Sequence, residues 1–135
     1  MGYTNYWYRT DKAITRSFVD KVKKIITEAN NMGISIRGWD GTGQPTITLN
    51  DIRFNGNAQY DLNHETCSFT NIATNRGFNF CKTVAKPYDW VVKQVLKEAE
   101  KENLVFDVSD DGEVEKVTDA EYRFNKWLVH NRKNI

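Results

Sequence analysis

The stretch GYTNYWYR, residues 2–9, decides how the rest of the chain is read. It is built from strand formers, and its side chains alternate. Tyr3, Asn5 and Trp7 take one side, and Thr4, Tyr6 and Tyr8 take the other. A strand with aromatics on both sides belongs in the middle of a sheet. One row packs on helices. The second row must be covered by a loop, a ligand or a second copy of the chain, because a bare aromatic row on a small domain is costly.

Working outward, Phe18, Val19, Val22, Ile25, Ile26 and Ala29 recur with the helical period. Ser17 with Asp20 reads as a capping box, and Gly33 ends that helix. ISIRGW (34–39) is a short strand, DGTGQP (40–45) a turn-rich loop, and Ile52 and Phe54 alternate with Arg53 and Asn55 in a further strand. HETCSFTNIA (64–73) and GFNFCKT (77–83) read as a hairpin around TNRG, in a register that sets Cys67 opposite Val84. Lys86-Pro87 opens a second helix with Tyr88, Val91, Val92, Val95, Leu96 and Ala99 on its apolar stripe. LVFDV (104–108) is a strand ended by SDDG, and Thr118 with Glu121 caps a last helix carrying Phe124, Trp127 and Leu128. The order β-α-β-β-β-β-α-β-α describes an α+β chain, one domain over residues 1–135. The expected architecture is a mixed or largely antiparallel sheet with about three helices packed mainly on one face.

The balance of 19 basic and 18 acidic residues leaves a net charge of +1, so no global field recruits nucleic acid or a membrane surface. No apolar run is long enough to span a bilayer, and the first ten residues lack the apolar core of a signal peptide. Tyr6 stands where myristoylation needs Ser or Thr. The expectation is a cytoplasmic protein without a disulfide between its two cysteines.

Strand parity sorts the side chains further. Ile52, Phe54, Cys67, Phe69, Phe78 and Phe80 share one side and should face the helices. Arg53, Asn55, His64, Thr66, Asn79, Cys81 and Thr83 share the other. That set is either a solvated sheet face or a surface of donors and acceptors suited to phosphate oxygens and a base edge. Lys82 falls on the core side in the same register. Lys86 and Thr83 stand at the start of the second helix, whose amides favour an anion. Asn5, with Trp7, Tyr6 or Trp39 as a stacking aromatic, completes the candidate site. Cys81 and His64 are the available nucleophile and base, but nothing in the spacing brings them together. No metal-ligand spacing is present, and no cofactor is expected.

GYTNYW, DGTGQP, IRFNG, HET and FCKTVAKPYD, in this order over residues 2–111, resemble a family of small uncharacterised bacterial and phage proteins that begin Gly-Tyr-Thr-His-Tyr-Trp. Asn5 replaces that family's His, and Ala85 stands where Arg is frequent. The resemblance implies a coherent site and no established activity, and the replaced His argues against turnover. Together these features lead to one expectation: a homodimer that binds a phosphorylated, nucleotide-like small molecule without chemistry. By analogy this is a phage sponge that sequesters a defence signal. The alternatives are a small Cys/His-dependent hydrolase and an interaction module that inhibits a host defence factor.

Overall fold

The structure is a computed structural model and describes residues 3–71 and 77–112. The expected last helix lies outside the described residues. β1 (Thr4–Arg9) is followed by α1 (Arg16–Asn31), β2 (Thr46–Ile47) and β3 (Asp51–Phe54). After a 3-10 turn at Ala58–Tyr60 come β4 (Cys67–Thr70), β5 (Gly77–Lys82), α2 (Asp89–Lys101) and β6 (Val105–Asp110). The chain is α+β, with two antiparallel three-stranded sheets in the orders β5-β1-β6 and β2-β3-β4.

β1 is the central strand of its sheet, as its two-sided aromatic pattern requires. β5 and β6 both run antiparallel to it, so they are parallel to each other, and α2 carries the chain between them. This is a split β-α-β unit. Its inner face and the β2-β3-β4 sheet enclose one apolar core. Trp7 stacks on Phe69 with ring centroids 5.4 Å apart, and Phe18 meets Phe69 edge-on at 6.0 Å. α1 buries Phe18, Val19, Val22, Ile26 and Ala29, and α2 buries Val91, Val92, Val95, Leu96 and Ala99. Burying one such side chain is worth about 1.5–3 kcal/mol.

Several local expectations are corrected. The cap of α1 is Thr15, whose hydroxyl accepts from Phe18 N at 3.0 Å, rather than the pair Ser17 and Asp20. Thr15 lies one residue before the helix, where its oxygen meets a free amide of the first turn. ISIRGW makes only an isolated bridge, Arg37 to Asn55. The hairpin does not form. β4 pairs with β3, setting Cys67 opposite Phe54, whereas β5 pairs with β1, setting Cys81 opposite Asn5. The two strands belong to different sheets, so their parities are independent. Cys67 and Phe69 face the core, but Phe78 and Phe80 are 55% and 54% exposed while Cys81 and Thr83 point inward. Lys82 accordingly leaves the core side and is exposed.

The outer face of β5-β1-β6 is therefore aromatic. Tyr6, Tyr8, Phe78, Phe80 and Phe106 form a chain of ring contacts with centroids between 5.4 and 6.1 Å apart.

Candidate functional site

Two regions gather the polar residues of the quoted motifs. The first is buried. Asn5 on β1 donates from Nδ2 to Asp89 Oδ1 at 2.7 Å, and Thr83 Oγ1 donates to the same oxygen at 2.6 Å. Lys93 Nζ donates to Asn5 Oδ1 at 2.8 Å and to Asp110 Oδ2 at 3.1 Å. It lies 3.6 Å from Asp89 Oδ2 and 4.7 Å from the Tyr3 ring centroid. GYTNYW supplies Tyr3 and Asn5, and FCKTVAKPYD supplies Thr83 and Asp89. Burial works against the Lys93 charge, but Asp89, Tyr3 and Asp110 outweigh it and raise its pKa. Lys93 is thus a fixed cation, and the Asp89 carboxylate occupies the start of α2 that an external anion would need. The knot locks β1, β5, α2 and β6 together. It does not present an anion site.

The bend leading into α2 is strained. Val84 and Ala85 both have φ of 55°, a left-handed conformation that costs a non-glycine residue about 1–2 kcal/mol. Thr83 Oγ1 accepts from Ala85 N at 3.3 Å and holds the bend. Thr83 is not the cap of α2; Tyr88 occupies that position and makes no side-chain cap.

The second region is a loop assembly at the surface. Buried Asn55 organises it. Its amide nitrogen donates to Trp39 O at 3.3 Å and His64 O at 3.0 Å, and its oxygen accepts from Gly56 N at 2.8 Å and His64 N at 3.0 Å. The Thr66 hydroxyl also donates to Trp39 O. Gly41 N donates to Gly38 O at 3.0 Å, and Ala58 N donates to Gly41 O at 2.9 Å. A Cβ on Gly56 would lie 1.9 Å from Leu62 O, and one on Gly41 would lie 2.7 Å from the Ala58 Cβ. The 38–45 and 55–66 loops are thus packed backbone to backbone, leaving little freedom. Lys86 Nζ donates to Asp61 O at 2.6 Å and clamps the same assembly to the bend. From this frame Trp39 emerges 63% exposed and Tyr60 65% exposed, with His64 also exposed.

The residues expected to form one site are thus divided. Asn5 and Thr83 belong to the buried knot. Asn55, His64, Thr66 and Lys86 belong to the loop assembly. Trp7 is fully packed in the core, out of reach for stacking. Arg53 is exposed on β3 and pairs with Asp51 at 3.0 Å. Asn79 lies on β5, where its amide donates to Gly77 O at 3.1 Å. Cys81 is buried, its thiol 3.5 Å from Glu65 O, and Lys82 stands on the outer face of β5. Asp89, Lys93 and Asp110 were not anticipated as a group. The i,i+4 spacing of Asp89 and Lys93 was the available signal. Nothing in the sequence indicates that Asp110 joins them.

Both thiols are buried. Burial pushes the Cys67 thiol well up, with the neighbouring Cys81 thiol adding to the effect, and burial likewise raises the Tyr88 phenol, which donates to Glu65 O at 2.6 Å. A nucleophilic cysteine needs an accessible setting, and both thiols here are buried. Among the described residues, no cluster of three or more His, Cys, Asp or Glu side chains could hold a metal ion, and no helix is long and apolar enough to cross a membrane. Compared with models of protein families, with curated proteins and with solved structures, the chain matches none.

Proposed function

We propose that the protein binds a phosphorylated, nucleotide-like small molecule at the loop assembly and releases it unchanged. The observation that carries this reading is the role of Asn55. One buried amide fixes the backbones of Trp39 and His64, and both side chains stand in solvent. Binding residues are disproportionately carried on loops that a rigid scaffold positions. Trp39 supplies the stacking plane, and base–aromatic stacking is worth about 1–3 kcal/mol per base. His64 supplies a donor for phosphate, and Lys86, which also pairs with Asp61 Oδ1 at 3.5 Å, supplies a second. The buried state of Cys81 supports binding over turnover.

By analogy with phage sponges, such a binder would sequester a signal in the cytoplasm of a host cell. In the same reading the chain acts as a homodimer, since the aromatic outer face of β5-β1-β6 needs cover. The hydrolase alternative loses its nucleophile to burial. The interaction-module alternative retains one specific observation, that same aromatic face.

The test is native mass spectrometry of protein purified without denaturation, followed by release and identification of any bound molecule. A phosphorylated compound recovered intact supports the proposal. A compound converted on incubation with fresh protein overturns it in favour of an enzyme.

A further inference from the structure

The outer face of β5-β1-β6 has an order that its ring contacts alone do not show. Thr4 pairs with Lys82, Tyr6 with Phe80 and Tyr8 with Phe78 on one side of β1. On the other side Tyr6 pairs with Ser109 and Tyr8 with Phe106, and Asp111 N donates to Thr4 O at 3.0 Å. The face is therefore a grid of three rows: Lys82, Thr4 and Asp111, then Phe80, Tyr6 and Ser109, then Phe78, Tyr8 and Phe106. Its first row carries the Lys82 ammonium at the β5 edge, where Glu65 Oε1 accepts from Lys82 N at 2.7 Å, and the Asp111 carboxylate at the β6 edge.

We infer that this face is the contact between two copies of the chain, stacked sheet on sheet about a two-fold axis that runs along β1. The inference rests on the reading that the chain pairs with itself across this face, and it adds the axis and the register of the contact. Rotation about such an axis exchanges the edges of the sheet while keeping each row at its own level. Lys82 then meets the partner's Asp111, and Asp111 meets the partner's Lys82. Phe78 meets the partner's Phe106, and Tyr6 and Tyr8 meet their own counterparts. A two-fold contact requires a self-complementary patch, and this grid is one in charge as well as in ring placement. Aligned sheet packing tolerates the crossing of about 30° that strand twist imposes.

The chemistry at the rim selects this occupant. Asp107 and Asp111, both exposed, border the rings on the β6 side and disfavour a polyanion such as single-stranded nucleic acid. Asp111 is held in place: its Oδ1 accepts from the Tyr6 hydroxyl at 2.5 Å and its Oδ2 from Thr4 N at 3.0 Å. It therefore offers a positioned charge rather than a mobile one.

The experiment is sedimentation analysis of the full chain, with circular dichroism to confirm folding of each variant. The wild type should be a dimer at micromolar concentration. Phe80→Glu and Phe106→Glu lie on opposite edges, and each should raise the dimer dissociation constant by at least about 100-fold. Lys82→Glu should raise it by about 10-fold, and adding Asp111→Lys should restore most of that loss. Phe106→Glu keeps the test sound if Asp111→Lys disturbs its own strand. A wild type that stays monomeric at about 100 μM overturns the pairing itself. A dimer that persists in both glutamate variants leaves the pairing standing and overturns this surface as its interface.

Discussion

Asn5 and Asp89 are 84 residues apart, and their side chains meet at 2.7 Å in a region closed to solvent. This bond joins the central strand to the first turn of α2. Around it the Lys93 ammonium is shared between Asn5, Asp89 and Asp110, so each member depends on the others. Removing one partner of a buried charged group costs about 3–5 kcal/mol, because the remaining charge keeps its desolvation penalty. Asp89→Ala should therefore destabilise the protein by that amount in urea denaturation. Asp89→Asn, which keeps the shape and one acceptor, should cost less. Equal stability of wild type and Asp89→Ala would mean that the knot contributes nothing to folding.

The pH dependence of the knot follows from the sign of the Lys93 shift. Its folded pKa is raised above the ordinary value of 10.5, so the folded state holds the proton more tightly than the unfolded chain. The stability it contributes is fully present below 10.5 and is lost as pH climbs through the folded pKa. The difference in urea midpoint between wild type and Lys93→Met should hold below about pH 10.5 and shrink as pH rises beyond it. A difference that widens over this range would contradict the assignment.

The loop assembly and the bend into α2 respond oppositely to glycine. Gly56→Ala places a methyl 1.9 Å from Leu62 O and must push two backbone segments apart. It should lower stability by more than about 3 kcal/mol, as other severe core overpacking does. Val84→Gly removes a β-branched side chain from a φ of 55°, and should raise stability by up to about 1 kcal/mol. Thermal unfolding of the two variants measures both effects. Matching losses would show that the bend is not strained.

Cys67 and Cys81 should be inert in the folded protein. Burial raises the Cys67 thiol and closes both sulfurs to reagents. With a thiol-reactive dye at about pH 8, labelling should require denaturant and then reach both residues. Rapid native labelling of Cys81 would restore the nucleophile that the hydrolase alternative needs.

How much of this was legible in the sequence depends on the range of each interaction. The centre of the β5-β1-β6 sheet was readable from alternation in Tyr3 to Tyr8, because both faces of β1 meet aromatic neighbours. The apolar stripes of α1 and α2 were readable because helical period is local. The pairing of β5 was not. Asn75-Arg76-Gly77 looks like a tight turn, and the strand's true partner lies far away in the chain, with Thr4 opposite Lys82 and Arg9 opposite Gly77. The outward Phe78 and Phe80 then inverted its apparent parity, which moved Cys81 and Thr83 from surface to core. In the site, the polar character of Asn55 and Thr66 suggests ligand donors, but their hydrogen-bonding capacity is directed at the backbones of Trp39 and His64. Sequence shows that a residue can bond. It does not show whether the partner is a ligand or the protein.

The loop assembly is proposed to bind a nucleotide-like ligand through Trp39 and Lys86. Calorimetric titration with a panel of nucleoside monophosphates, diphosphates and cyclic nucleotides tests it most directly, with wild type beside Trp39→Ala and Lys86→Ala. Loss of a stacked ring should weaken binding by about 5- to 150-fold. Removing Lys86 should weaken it further for more highly charged members and reduce its salt dependence. Saturable binding by wild type that both substitutions diminish, with the unfolding temperature kept in Trp39→Ala, is the predicted result. Binding that is unchanged in both variants, or no binding by any member of the panel, would contradict the account.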